Sequence, residues 1–159
     1  MTFKKRFQFI KKSNSLSEIS LVPNLPLRLS YQDKSISVSG LLDTGASVNV
    51  LPYEIGLQLG LDWDKCNTSV TLAGNLAKFP AKGVILSATI DEFLPVTLVF
   101  AWTQAENTPL LLGRINFFQE FDVCFYGSQL ARTYAKYLSN PHFSVFSVPL
   151  WFVYSVTSA

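Results

Sequence analysis

Histidine is nearly absent from this chain: one residue, His142, stands among 159. A Ser/His/Asp or Cys/His relay would have to be built around that one late side chain, so histidine-based nucleophilic catalysis is set aside. Cysteine is also scarce. The two present, Cys66 and Cys124, sit in no CxxC pair and near no histidine, which argues against a metal site or a disulfide framework and for reduced thiols. No metal or cofactor is expected. The formal charge of +2 is too small to predict nucleic-acid binding. The N-terminal stretch MTFKKRFQFIKK lacks an apolar core of leader length, so no export signal is expected and the expected location is cytoplasmic.

What the chain does have is apolar residues, 48% against 15% charged, enough to collapse around one domain of ordinary size. Composition suggests three stretches. Residues 1–20 form a basic arm, with Lys4, Lys5, Arg6, Lys11 and Lys12; it reads as a solvated, flexible segment or as one attracted to an anionic surface. Residues 21–127 form the domain. In residues 128–159 charge disappears after Lys136, and Phe143 to Val156 is apolar and aromatic. That run is shorter than the roughly 20 residues a membrane helix needs, leaving three readings: packing on the domain or a partner, disorder, or membrane contact.

Within the domain, Leu25, Leu27, Leu29 and Tyr31 alternate with Pro26, Arg28 and Ser30, the period of a strand with one buried face. After a turn at Gln32-Asp33-Lys34 the alternation resumes at Ile36 and Val38, and Gly40-Leu41-Leu42 is apolar on both faces, as in a strand entering a core. Asp43 stands where it ends. Pro52 to Leu59 reads as a short helix stopped by Gly60. Ser69 to Leu72, Gly83 to Ile90 and Phe93 to Ala101 read as strands, with Ala73-Gly74-Asn75-Leu76 a hairpin tip between the first two. The apolar run Leu110 to Leu112 closes at Gly113. Arg114 to Phe121 is predicted as a helix with Phe117, Phe118 and Phe121 on one face, and Asp122 to Tyr126 as the last strand. The class is mostly β with one or two short helices.

The stretch LLDTGAS, Leu41 to Ser47, raises the question of why an acid follows two leucines. Asp and Thr cap turns and Gly accepts positive φ, so a purely structural role is available. Yet a carboxylate led into apolar surroundings must pair, accept hydrogen bonds or take up a proton. A second carboxylate sharing one proton would satisfy it.

Together with the downstream LLLGRINFFQEFDVCF, LLDTGAS resembles the retropepsin-like aspartic proteases, single-lobed relatives of pepsin, over about Leu21 to Tyr126. The resemblance implies a closed, barrel-like acid-protease fold. It also implies peptide hydrolysis by a water held between two aspartates, one acting as base and the other as acid, with no covalent adduct. The chain has a single Asp-Thr-Gly; Asp33, Asp62, Asp64, Asp91 and Asp122 lack the turn chemistry. The second Asp43 is therefore expected from a second copy across a two-fold axis, and the substrate is a peptide or protein in extended form.

By position, the resemblance implies that Thr44 hydrogen-bonds across the dimer axis, Gly45 lets backbone approach substrate, and Ala46 and Ser47 line the cleft. Ala73, Gly74, Asn75 and Leu76 would be the tip of a covering flap, and Leu112, Gly113 and Arg114 the support beneath the loop. The chain departs from retroviral members in carrying Ser47 where an aspartate pairs the arginine, a single glycine in the flap tip, and extensions at both ends where those dimers weave a shared sheet. Two other readings stand beside the endopeptidase: a binding and dimerisation module with little or no activity, and a paired-carboxylate glycosidase.

Overall fold

A computed structural model describes residues 2–13, 19–126 and 131–137 of the chain. Its centre is a closed barrel of six strands: β4 (Asn24–Tyr31), β5 (Lys34–Leu42), β6 (Asn49–Pro52), β7 (Ala81–Thr89), β8 (Val96–Thr103) and β9 (Leu111–Leu112). Their order around the wall is β4-β5-β9-β6-β8-β7. Closure leaves no free edge in the wall. The expected mostly-β, closed-barrel class with short helices is what the chain adopts.

Alternation in β4 does what its period predicts: Leu25, Leu27 and Leu29 are buried while Pro26 and Arg28 are exposed. Proline is tolerated because β4 is paired on both sides only from Arg28 to Ser30, leaving Pro26 outside the doubly bonded stretch. The observed strands β7 and β8 are shifted by one to three residues from the expected Gly83–Ile90 and Phe93–Ala101. Side chains of Leu25, Leu29, Leu51, Leu86, Leu98, Phe100, Trp102 and Phe117 fill the interior.

Helix α1 (Tyr53–Gln58) is one residue shorter at each end than the expected Pro52 to Leu59: Pro52 closes β6 and precedes the helix without a side-chain capping bond, and the chain turns at Gly60, whose φ is +81°. It lies so close to β8 that a Cβ on Gly56 would meet the Trp102 ring at 2.3 Å. Trp102 Nε1 donates to the Tyr53 carbonyl at 3.0 Å, and Tyr53, Trp63 and Trp102 form a ring cluster. Loss of a ring this buried costs about 3–5 kcal/mol.

Helix α2 is shorter than expected, Phe117–Glu120 in place of Arg114 to Phe121. The reason is local: the N–H groups of Arg114 and Ile115 donate to the carbonyls of Ala46 and Ser47, and Asn116 has φ +80°, so no helix can start before Phe117.

Two more sheets involve the ends of the described chain. Strands β1 (Thr2–Gln8), β10 (Asp122–Tyr126) and β11 (Ala131–Tyr137) form an antiparallel sheet in the order β1-β11-β10, and β2 (Ile10–Ser13) pairs with β3 (Ile19–Val22). The basic arm is thus paired strand in its described parts, not a free segment, although Lys5, Arg6 and Lys11 remain exposed, and Asp122 to Tyr126 is not the last strand. Lys5 Nζ lies 2.6 Å from Asp91 Oδ2, and that carboxylate raises the Lys5 ammonium above its ordinary range. The Arg6 guanidinium lies over the Tyr126 ring. This sheet crosses both boundaries drawn from composition, at residues 20 and 127. His142 and the apolar run Phe143 to Val156 lie outside the described residues. Among the described residues no helix is long and apolar enough to cross a membrane.

Candidate active site

Two strands far apart in sequence set the position of Asp43. β5 and β9 run parallel, with Leu41 opposite Leu111 and Leu42 opposite Leu112, while β9 is antiparallel to β6 at Val50. The chain therefore leaves β5, turns through residues 43–48 and returns as β6, with β9 threaded between the two. Leu41 N–H donates to the Leu110 carbonyl at 2.8 Å and Asp43 N–H to the Leu112 carbonyl at 3.1 Å. Asp43 is the first residue beyond this ladder.

The turn is closed on the acid itself. Asp43 Oδ1 accepts from the N–H of Gly45 at 2.8 Å and of Ala46 at 3.2 Å, an Asx turn that Asp favours. Oδ2 takes no hydrogen bond from any described residue. Asp43 is half-buried, and Thr44, Gly45 and Ser47 are exposed. The acid thus sits at the rim of the barrel with one oxygen held and one open.

Beneath the loop, Gly113 is required by space. A Cβ there would meet the Val48 carbonyl oxygen at 2.5 Å and that of Ala46 at 3.0 Å. Gly40 is similarly tight, at 2.8 Å from the Leu112 side chain. Arg114 Nη2 donates to Ser47 Oγ at 3.3 Å on the exposed rim, so the guanidinium meets a hydroxyl there.

Two residues essential to this geometry escaped sequence reasoning. Asn49 and Asn116 are buried, at 0% and 2% exposure. Asn49 Oδ1 accepts from Gly113 N–H at 2.8 Å, and its Nδ2 donates to the Val99 carbonyl at 2.9 Å and to Asn116 Oδ1 at 3.3 Å. Asn116 Oδ1 also accepts from Val99 N–H at 2.7 Å, and its Nδ2 donates to the Thr97 carbonyl at 3.3 Å. The available signal was an asparagine at the head of each of two apolar runs, Asn49-Val50-Leu51 and Asn116-Phe117-Phe118.

The segment expected to form the flap is less regular than a hairpin. Ser69 to Leu72 is not a strand: one bridge joins Ser69 to Lys82, supported by Val70 N–H to the Ala81 carbonyl and Gly83 N–H to the Thr68 carbonyl. The tip, Gly74 to Leu76, is a single 3-10 turn after Ala73, with Gly74 at φ +62° and open space around it. Leu72 and Leu76 belong to one apolar cluster with Val48, Val50 and Leu111. The flap segment and the Asp43 loop therefore share a patch of core.

Among the described residues no group of three or more His, Cys, Asp or Glu side chains is placed to hold a metal ion. Of the two thiols, Cys66 is half-buried and burial pushes it up from its ordinary range, while Cys124 is exposed on β10.

No family model matches the sequence, and no match is found among curated proteins. Among solved structures the chain is similar to a retropepsin-like aspartic protease from Rickettsia conorii. The two share 19% identity and a TM-score of 0.59 over 86% of this chain and 97% of that one. At that identity the likeness speaks for architecture: the barrel carrying Asp43 is a retropepsin-like fold.

Proposed function

We propose that this chain is an aspartic endopeptidase that works as a homodimer. The observation that carries the reading is the setting of Asp43: a rim carboxylate at a strand end, one oxygen held by two backbone N–H groups and the other open. One such acid is half of a proton-sharing pair. A second copy related by a two-fold axis supplies the other half, and two carboxylates brought close retain one proton between them. The ionised member draws a proton from a water lying between them, the water attacks the peptide carbonyl, and the protonated member gives its proton to the carbonyl oxygen. Collapse of the tetrahedral intermediate with proton transfer to the nitrogen releases the two products.

The second copy has an edge to meet. Among the described residues β10 is an outer strand of the β1-β11-β10 sheet, and its Phe125 and Tyr126 are each 41% exposed. Exposed apolar edge strands favour pairing with another chain, and two copies of β10 running antiparallel give an isologous contact. Because β1 and β11 already pair within one chain, this dimer requires no exchange of chain ends. Thr44, exposed at the loop tip, reaches across the axis, and an extended peptide lies under residues 73–76 with its backbone bonded as an added strand.

The test is cleavage of a diverse peptide mixture at mildly acidic pH over a range of protein concentrations, with Asp43→Asn in parallel. Turnover per chain is expected to fall steeply on dilution, and Asp43→Asn to lower it by at least about a thousandfold while folding is kept. Undiminished cleavage by the variant would sink the proposal.

A further inference from the structure

The Leu112 carbonyl, which receives the Asp43 N–H, and the Gly113 N–H, which donates to Asn49 Oδ1, are the two ends of one peptide unit. That unit is planar and rigid. Whatever turns the Gly113 end turns the Asp43 anchor with it. β9 has only two residues, too few to fix the plane by ladder bonds alone, so the amide of Asn49 is a main constraint on its rotation.

Asn49 is in turn held on its far side. Its Nδ2 is shared between the Val99 carbonyl and Asn116 Oδ1, and Asn116 Oδ1 accepts from Val99 N–H. The two side chains thus take both main-chain groups of Val99, one residue before β6 begins pairing with β8 at Phe100. Asn116 does this from an unfavourable backbone state, φ +80° and ψ −61°, a region that costs on the order of 1–3 kcal/mol and persists only where surroundings over-determine it. Its backbone N–H is bonded to Gln119 Oε1 at 3.1 Å. Strain and burial of two amides make little sense as filling, since Val50 and Leu51 beside them are apolar.

We infer that Asn49 and Asn116 are positioning residues for Asp43, acting through the Leu112–Gly113 peptide plane. The chain of amides runs from β8 through Asn116, Asn49 and that plane to the Asp43 N–H, and aligned amides polarise one another along such a chain. It fixes the backbone from which the carboxylate is aimed. The kinetic consequence rests on the proteolytic reading; the structural one does not.

Two variants test it. Asn49→Leu keeps the shape and removes the amide; Asn116→Gly removes the amide while accepting the positive φ. A control, Thr103→Val, deletes another buried polar contact, between Thr103 Oγ1 and the Pro80 carbonyl. For Asn49→Leu, amide hydrogen exchange is expected to quicken about tenfold or more at Asp43 and Gly113 while Leu29 and Leu86, in ladder positions away from the asparagines, stay as in the wild type. Asn116→Gly is expected to do the same to a smaller extent, and Thr103→Val not at all. In cleavage, kcat falls about a hundredfold for Asn49→Leu with KM little changed, as for a misplaced reacting group. Thr103→Val lowers stability with kcat retained. Unchanged Asp43 exchange in whichever asparagine variant folds, or exchange quickened evenly through the barrel, overturns the inference. If the wild type cleaves no peptide the proteolytic reading fails, and the exchange pattern alone decides the positioning role.

Discussion

The loop that carries Asp43 and the segment that carries Gly74 both reach solvent at a glycine, yet they are fastened to the barrel by different forces. The Asp43 loop is held by directional bonds: three backbone contacts to residues 112–115, two more to its own carboxylate, and the buried asparagines behind. The segment around Gly74 has one bridge, two backbone bonds beside it, two bonds received by the Pro80 carbonyl at its far end, and apolar contacts through Leu72 and Leu76. Hydrogen bonds fix angle and register, whereas apolar contacts fix only proximity. The Asp43 loop is thus locked in direction, and the segment around Gly74 is held mainly by apolar proximity.

The largest effect expected from breaking this contrast is on the locked side. Gly113→Ala drives a methyl into the carbonyls of Val48 and Ala46, on either side of the Ser47 carbonyl that holds Ile115, and the Ala46 carbonyl cannot withdraw without releasing Arg114. A loss of about 3 kcal/mol is expected from urea unfolding, as for severe overpacking. A variant as stable as the wild type would show the loop to be softer than its bonds suggest. On the apolar side, Leu72→Ala should cost about 2 kcal/mol, at the low end for a buried leucine because a segment with few ladder bonds can settle. Its hydrogen exchange should quicken within residues 68–82 and not at Asp43. Equal quickening at Asp43 would mean that the shared patch with Val48 couples the two halves. The smallest effect is at the tip, where Gly74→Ala meets no atom but must hold φ +62°. About 1 kcal/mol of local strain follows from that dihedral alone, visible as altered exchange at the tip with the barrel's melting temperature unmoved.

How much of this was legible in the sequence depended on how locally each feature is encoded. The alternation of Leu25, Leu27 and Leu29 carries its own period, so β4 could be read directly. Asp43 at the end of an apolar strand was equally readable. β1 was not, because Lys4, Lys5 and Arg6 break any apolar pattern and its partner, β11, lies more than 100 residues away. Pairing at that distance leaves no periodic trace. The expected strand Ser69 to Leu72 failed for the opposite reason: Val70 and Leu72 alternate correctly, but their side chains serve an apolar cluster without a full ladder. Asn116 was hidden by its neighbours, since three phenylalanines at helical spacing outweighed one asparagine whose backbone state ends the helix.

Threading β9 between β5 and β6 also has a consequence for the order of folding. β5 and β9 are parallel and about 70 positions apart in sequence, so their contact closes a long loop and should come late. The hairpin of β4 with β5 and that of β7 with β8 are local and do not wait for it. Trp102, on β8 in the barrel interior, should then reach its native fluorescence before Asp43 acquires its anchor. The acid would be positioned only by a chain that has already completed most of its wall.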